Sequence, residues 1–474
     1  GQGPLPFAGS DAAAPVDARC GTPPDAVACP AFLMSFDDIY RALLADLETQ
    51  RPEDRPFLRY LGLVNRRNAG VCGAALDVDR WAMDKVLNSV STEFEIALPE
   101  PIDTEQTLYR VDLRRYGWDR QVTVFGTTFN DGWEALAANN VYAREFEGGA
   151  ADSVKVQTGT AFPYQAADTA FEYATVGDTY YALVGAPTVG DSVDDFVLNQ
   201  LGVDTSDQLL RGISKAAGFR GSGVSRQPRV VHRYPFAADR VLWHAFDFAE
   251  DQNESIFDDP LGFADGGGFS IYSLPNLLHG YLAWDANGFV QEQSEYLFHD
   301  DDFIVAARTC MGCHSQGILP VRDQLRTYVE ANPANYSPDE AAAIQATFVP
   351  VEEMDALVEA DRQVYLGALG QLGFPTDCPD PVSQVVRRFS RPLTLRDALG
   401  ELGVSQAAFE AVRPLLDPSV AGLLNVGLLE RASFGGQYGK ALCAVNPPSA
   451  ADAGASVAVP TQVLCGPLLD GTLF

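Results

Sequence analysis

Residues 229–248 read RVVHRYPFAADRVLWHAFDF, and residues 267–289 read GGFSIYSLPNLLHGYLAWDANGF. Both stretches alternate apolar and polar side chains and are interrupted by turn-forming residues, which is typical of short antiparallel strands. The dipeptide Asn287-Gly288 stands between two such runs and favours a two-residue hairpin turn. We therefore predict an antiparallel β-sheet over residues 221–300.

The sequence on both sides of this sheet has the periodicity of helices. An apolar stripe predicts helix between residues 31 and 95, including Phe57–Leu63 and Trp81–Val90, whereas the alternation in 106–113 predicts a strand. Further helices are predicted near 131–139, 192–200, 205–217, 320–331, 337–347 and 351–370, and within 373–474. The predicted fold class is α+β, with a helical N-terminal part, a central antiparallel sheet and a helical C-terminal extension.

The composition excludes several classes of protein. The 474 residues are 46% hydrophobic, which rules out a mostly disordered chain. A net charge of −31 repels phosphate polymers, so no nucleic-acid partner is expected. No apolar run reaches the roughly 18–20 residues that span a bilayer, so no transmembrane segment is expected. Residues 1–30, which begin at Gly1, are expected to be a flexible mature N-terminus left after removal of a signal peptide.

The most specific motif is Cys310-Met311-Gly312-Cys313-His314, which has the C-x-x-C-H spacing of covalent haem attachment. Two intervening residues let both thiols reach the two vinyl groups at one porphyrin edge, and the adjacent histidine then reaches the iron. A redox C-x-x-C pair does not need the histidine, and a structural zinc site needs further ligands at close spacing. We expect one haem c on Cys310 and Cys313, with His314 as the proximal iron ligand.

Six further cysteines accompany the motif. Haem c is assembled outside the cytoplasm, where disulfides form and persist. We therefore expect a periplasmic or extracellular protein with disulfide bonds. The spacing along the chain favours the pairs Cys20–Cys29, Cys72–Cys378 and Cys443–Cys465 among the fifteen pairings that six cysteines allow.

A wider resemblance is carried by eight segments. They are RPFLRYLGLVNRRNAG (55–70), DKVLNSVS (84–91), TLYRVDLRRYGWD (107–119), AGFRGSGVSRQPRVVHR (217–233), LWHAFDF (242–248), GGFSIYSLPNLLHGYL (267–282), TCMGCHSQGILPVRDQLRTYVEANP (309–333) and LTLRDALGELGVS (393–405). Through them the chain resembles, nearly end to end, a largely uncharacterised family of secreted single-haem c-type cytochrome proteins of environmental bacteria. The resemblance implies one haem c, export and a mixed helical and β fold around the haem, but no established reaction.

The chain departs from that family at two positions. Relatives carry His where this chain has Tyr234, and Gln where it has His279. The Gln of the family indicates that coordination by residue 279 is not required, so His279 is a candidate to line the haem pocket, with iron ligation as the less favoured alternative. His232 lies two residues before Tyr234 and on the same face of a regular strand, so it is a candidate to stand in for the family histidine.

The ligand on the second face of the iron decides between electron transfer and ligand chemistry. Met354 and His232 are the candidate distal ligands. Met354 also has the helical spacing of a core residue, and His232 also fits a strand histidine with its tip in water. His244 is expected to be a satisfied strand histidine, and His299 a solvated or salt-bridged one.

Other side chains are candidates to support the cofactor. Arg308, Arg229 and Arg233 could pair with the haem propionates, with an ordinary surface position as the alternative for each. A weaker candidate is a Ca²⁺ site, with a solvated acidic loop as the alternative. The acidic residues concerned are Asp258, Asp259, Asp265, Asp300, Asp301 and Asp302.

Three functions fit these observations. The first, which we favour, is an exported monohaem cytochrome that transfers electrons and docks a redox partner protein with a basic surface. The second is a haem enzyme, a peroxidase or oxidase, in which Arg and His near 229–233 polarise an O–O bond in an open distal pocket. The third is a haem-bearing subunit or sensor module of a larger redox assembly.

The expected organisation follows the chain. After residues 1–30, residues 31–220 are expected to be mainly helical with some strands, and 221–300 to form the β region and part of the haem pocket. Residues 301–372 are expected to form a helical, cytochrome c-like haem segment. Residues 373–474 are expected to form a helical and loop extension with disulfides.

Overall fold

The computed structural model describes residues 29–222, 224, 227–249, 256–295, 303–446 and 461–464. The helices are α1 Phe36–Thr49, α2 Val64–Asn68, α3 Ala74–Ser89, α4 Gly132–Asn139, α5 Gly149–Thr158, α6 Ala167–Ala174, α7 Gly177–Val184, α8 Val193–Asn199, α9 Thr205–Leu210, α10 Arg308–Cys313, α11 Leu325–Ala331, α12 Pro338–Thr347, α13 Val351–Gly370, α14 Pro381–Phe389, α15 Leu395–Leu402, α16 Gln406–Ala411, α17 Pro418–Ala421, α18 Leu423–Val426 and α19 Arg431–Val445. The strands are β1 Leu58–Gly62, β2 Glu100–Pro101, β3 Leu108–Asp112, β4 Val122–Val124, β5 Thr127–Phe129, β6 Phe146–Glu147, β7 Tyr164–Ala166, β8 Lys215–Phe219, β9 Arg229–Ala237, β10 Arg240–Phe248, β11 Asp265–Ser273, β12 His279–Asp285, β13 Val290–Gln291, β14 Gln293–Glu295, β15 Phe303–Val305, β16 Leu393–Thr394, β17 Leu428–Leu429 and β18 Gln462–Val463. These helices and largely antiparallel sheets confirm the predicted α+β class.

The described residues form two compact units, each assembled from separate pieces of the chain. The first unit contains residues 88–96 and 175–380, and the second contains 29–87, 97–174 and 381–464. The units therefore cut across the consecutive segments expected from the sequence. None of the helices in the described part of the chain has the length and apolarity of a membrane span.

The centre of the first unit is a six-stranded antiparallel sheet in the order β13-β12-β11-β10-β9-β8. The predicted hairpin at Asn287-Gly288 is confirmed as the connection between β12 and β13. Its loop has three residues rather than two, because Asp285 is hydrogen-bonded to Phe289, and only Gly288 of the three has positive φ, at 74°. The sheet begins earlier than predicted. The helix expected over 205–217 ends at Leu210 as α9, and Lys215–Phe219 pairs with β9 as strand β8.

Both faces of this sheet are covered. Side chains from β8, β9 and β10 on one face pack against α13 and Ile318, and we call this the α13 face. Alternate side chains on the same strands pack against α11 and α12, and we call this the α11 face. The helices α11, α12 and α13 match the predicted segments 320–331, 337–347 and 351–370. The segment that follows the C-x-x-C-H motif is thus confirmed as helical.

The second unit contains a four-stranded sheet in the order β2-β3-β1-β7, with β1 and β7 parallel and the other pairs antiparallel. The helix predicted over Phe57–Leu63 is wrong, because Leu58–Gly62 forms the strand β1 and is buried at every position. A strand that is buried on both faces does not need to alternate apolar and polar residues. A short apolar run of this kind therefore fits a buried strand as well as a buried helix.

A disulfide in the second unit joins Cys29 to Cys72 across 43 residues of sequence. This bond overturns two of the predicted pairings, since each gave Cys29 or Cys72 a different partner. Cys378 and Cys443 are also disulfide-bonded. The third predicted pair, Cys443–Cys465, involves a residue outside the described part of the chain.

Candidate haem-attachment site

The C-x-x-C-H motif begins at a strained turn in the first unit. Ala307 has φ 66° and ψ −65°, and the N–H of Arg308 donates to the carbonyl of Ala306 at 2.9 Å. This is a three-residue γ-turn of the rare, positive-φ kind. Ala306 and Ala307 are buried, so packing holds the turn in place. Strain of about 1–3 kcal/mol at one residue persists only where the surroundings impose it, and it marks functional sites.

The two motif cysteines lie on the short helix α10, and both are free thiols. Every other cysteine within the described residues is disulfide-bonded. Burial raises the pKa of Cys310 to about 12, with the neighbouring Cys313 as a smaller cause, and burial also raises the pKa of Cys313. As whole residues, Cys310 is half-buried and Cys313 is exposed.

His314 has one ring nitrogen occupied and the other available. Its Nδ1 lies 3.2 Å from the carbonyl oxygen of Gly317, and the N–H of Gly317 donates back to the carbonyl of His314 at 3.0 Å. A carbonyl oxygen only accepts, so Nδ1 carries the proton in this contact. The pKa of His314 is lowered to about 4, mainly by burial; the hydrogen bond to Gly317 opposes this shift and the charge of Arg229 adds to it. The ring is therefore neutral at physiological pH and presents the Nε2 lone pair.

The turn that holds His314 is fixed from α13. Gly317 has φ +98°, and a Cβ there would lie 3.3–3.4 Å from atoms of Arg362 and Tyr365. Arg362 donates from Nε to the carbonyl of Gln316 and from Nη2 to its side-chain oxygen, at 3.1 and 2.8 Å. These contacts orient the His314 ring through its hydrogen-bond partner.

The residues of the motif fit a covalent haem. Two free thiols and a neutral imidazole with a fixed Nδ1–H are the donor set that haem c requires. They do not fit a zinc site, because nowhere in the described ranges do three or more His, Cys, Asp or Glu side chains gather in a metal-binding group.

His279 lies close to this segment. It is buried on β12, and its ring stacks on Tyr365 of α13 with centroids 4.1 Å apart. The neighbouring Tyr281 has a pKa raised chiefly by burial, with Tyr365 and then Cys310 as smaller causes. The structure therefore brings His279 to the α13 face beside the attachment motif.

Met354 lies on the same side of the sheet. It is fully buried on α13, in an apolar cluster with Ile318, Trp243 and Val358. Ile318 is four residues after His314, so the cluster adjoins the motif. In this structure the thioether of Met354 packs as a core side chain.

Arg229 and Arg233 already have partners on the α13 face. Arg229 forms a two-point ion pair with Asp247 at 2.8 Å, and Arg233 forms one with Asp361 at 2.7 Å. Asp361 also accepts from the indole N–H of Trp243 at 2.8 Å. Each arginine therefore already has a carboxylate partner, which a haem propionate would have to share or displace. Arg308, the third candidate, is the first residue of α10.

His232 and His244 lie on the α11 face, because strand residues alternate between faces and His232 is one residue from Val231 on the α13 face. The sheet thus separates His232 from Ile318 and Met354. His299 and Asp300–Asp302 lie outside the described residues. Asp259 and Asp265 each accept a nearby backbone N–H, so local turn contacts account for these carboxylates without calcium.

Sequence reasoning missed the residues that support the motif. Asp361 and Tyr365 stand on the same helical stripe as Met354, and that spacing indicates a buried face but not its partners. Ala307 and Arg362 carry no signal in the sequence at all, since their roles depend on a turn and on a contact between distant segments.

Comparison with protein-family models, with curated proteins and with solved structures finds no match to this chain. The reading of the site accordingly rests on its own geometry.

Proposed function

We propose that this protein is an exported monohaem c-type cytochrome that transfers electrons, with its haem attached to Cys310 and Cys313. The observation that carries the proposal is His314, whose Nδ1–H is held by the Gly317 carbonyl at 3.2 Å while Nε2 stays available as the proximal ligand. That arrangement is common among histidines that bind metals.

The two thiols supply the covalent links. Each thiol would be consumed by addition across one vinyl group, with an S–C bond formed in place of the vinyl π bond and the thiol hydrogen transferred to the other vinyl carbon. No oxidant is consumed in this addition. Both cysteines are free thiols, whereas the other cysteines in the described residues are disulfide-bonded. This difference supports a role for the two thiols in haem attachment.

The exposed position of Cys313 supports electron transfer rather than catalysis in a buried haem pocket. This residue would hold one link to the cofactor at the protein surface, where a partner can approach. When bound, the haem would supply a one-electron ferric–ferrous couple for exchange with a partner protein. The net charge of −31 favours a partner with a basic docking surface.

The disulfide between Cys29 and Cys72 supports export, because such bonds persist in oxidising compartments. The finer proposal, an electron carrier in the periplasm or outside the cell, rests on this bond together with the attachment motif.

The decisive experiment is expression with a c-type haem maturation system, followed by mass spectrometry of the intact chain. We expect a mass increase of one haem that survives denaturation. Cys310→Ala with Cys313→Ala should abolish it, whereas Met311→Leu, between the two cysteines, should retain it. An unmodified chain in the wild type would refute the proposal.

The visible spectrum separates electron transfer from ligand chemistry. An electron carrier should give sharp reduced bands that carbon monoxide leaves unchanged, because both axial positions are filled. Ready binding of carbon monoxide would contradict the electron-transfer role and would favour a haem enzyme or sensor.

A further inference from the structure

The α11 face of the six-stranded sheet carries a second pair of metal-ligating side chains, away from the haem motif. His232 on β9 and His244 on β10 are directly opposed in the antiparallel register. Opposed residues on one face have Cβ atoms about 4.5–5.5 Å apart. Two imidazole nitrogens bound to one metal, each at about 2.0–2.1 Å, lie about 4 Å apart, which is within reach of rings carried on such neighbouring positions.

Hydrogen bonds hold the two rings from opposite sides. The Nδ1 of His232 lies 3.3 Å from the hydroxyl of Ser214, which precedes β8, and the Nδ1 of His244 lies 2.8 Å from the hydroxyl of Ser270 on β11. Because the strand order is β8-β9-β10-β11, both Nδ1 atoms point outward from the pair. The opposite ring edges then face the space between the two histidines.

The surroundings of the pair are aromatic and uncharged. His244 stacks on Trp284 with centroids 4.9 Å apart, His232 stacks on Tyr234 at 5.6 Å, and Phe246 contacts both imidazoles edge-on. Burial lowers the pKa of His232 to about 4. Burial, and then the neighbouring His232, lower the pKa of His244 to about 3. Both rings are therefore neutral ligands at physiological pH, and no carboxylate influences either pKa.

We propose that His232 and His244 form a two-coordinate site for a monovalent soft metal ion, Cu(I). Imidazole suits copper, and two opposed nitrogens match the linear geometry that Cu(I) accepts. A divalent ion would carry two uncompensated charges into an apolar site with no anionic ligand, which costs far more than one. The faces of Trp284 and Phe246 favour a single positive charge.

The two histidines differ in burial, and a hydroxyl supports the more buried one. As a whole residue His232 is half-buried, whereas His244 is fully buried. The hydroxyl of Ser270 receives the indole N–H of Trp284 at 3.3 Å and can receive the Nδ1–H of His244 when Nε2 binds a metal. A hydrogen bond of this kind typically contributes about 10- to 100-fold to metal affinity.

The test is anaerobic titration with Cu(I) against a chromophoric Cu(I) chelator, with Cys310 and Cys313 either bound to haem or alkylated so that free thiols do not compete. We expect one Cu(I) per chain. His232→Phe and His244→Phe, which keep a ring in each aromatic contact, should each weaken binding by at least about 100-fold. Circular dichroism checks that both variants fold.

Serine variants separate ligation from packing. Ser270→Ala should weaken Cu(I) binding about 10- to 100-fold, because it removes the support of His244. Ser273 lies on the same strand but on the opposite face, where its hydroxyl accepts the N–H of Val241. The control variant Ser273→Ala should therefore bind Cu(I) as the wild type does. Binding that survives both histidine substitutions, absence of binding in the wild type, or Zn²⁺ binding as tight as Cu(I) would overturn the assignment.

Discussion

The Nδ1 atom of His314 lies 3.2 Å from the carbonyl oxygen of Gly317, and the N–H of Gly317 donates back to the carbonyl of His314. The reciprocal pair closes a tight turn immediately after the attachment helix. Because α13 packs against Gly317, the orientation of the imidazole depends on a helix that begins 37 residues later in the sequence.

Gly317→Ala should destabilise the protein and disturb the histidine. The residue has φ +98°, where a Cβ is strained, and the added atom would lie 3.3–3.4 Å from Arg362 and Tyr365. We expect a loss of about 1–3 kcal/mol in urea unfolding and a changed spectrum of the haem-loaded protein. Gly373→Ala is the matched control, since Gly373 also has positive φ but open space around it. Equal costs for the two variants would refute the crowding argument.

Asp361→Asn should be strongly destabilising. Asp361 is buried, accepts two hydrogen bonds from Arg233 at 2.7 Å and accepts the indole N–H of Trp243. Removing its charge leaves a largely buried guanidinium without compensation, which costs about 3–5 kcal/mol. The check is urea unfolding, with Glu359→Gln as control because that carboxylate forms only a solvent-exposed pair with Arg362, which contributes little to stability. A cost for Asp361→Asn no larger than the control would contradict the prediction.

Asp84 should make the free energy of unfolding depend on pH. Burial raises its pKa from 3.8 to about 7, so the folded chain holds this proton more tightly than the unfolded chain. The contribution is fully present below about pH 4 and is lost as the pH rises to 7, by at most about 1.4 kcal/mol per pH unit. Burial likewise raises the pKa of Glu401 to about 7, and Glu401 acts in the same direction.

Asp84→Asn should remove the share of this pH dependence that Asp84 contributes. The measurement is urea unfolding at several pH values between 4 and 8 for the wild type, Asp84→Asn and the exposed control Asp355→Asn. The stability difference between wild type and Asp84→Asn should shift in favour of the variant as the pH rises. A difference that is constant across this range would show that Asp84 has an ordinary pKa.

Removing the disulfide between Cys29 and Cys72 should lower the stability of the unit that contains it. The bond closes 43 residues of chain, and the loop-entropy relation gives about 4 kcal/mol for a loop of this length. Cys29→Ala with Cys72→Ala should show this loss in urea unfolding without added reductant. Peptide mapping of the wild type checks the pairing directly, and a bond between Cys29 and any other cysteine would contradict it.

Part of the fold was predictable because its signals are local. The Asn287-Gly288 hairpin and the helices α11 to α13 follow from turn chemistry and periodicity within a few residues. The strand β1 was missed because Leu58–Gly62 is buried on all sides and lacks alternation, and β8 was missed because Lys215–Phe219 is a strand only through pairing with β9.

The sequence by itself determined the C-x-x-C-H motif, since Cys310, Cys313 and His314 lie within five consecutive residues. Only the tertiary structure decided what surrounds it. Strand register and alternation place His279 on the α13 face and His232 on the α11 face. The packing of α13 against the sheet brings Arg233 into an ion pair with Asp361. These relations join residues far apart in the chain, so they depend on strand pairing and helix packing rather than on neighbouring residues.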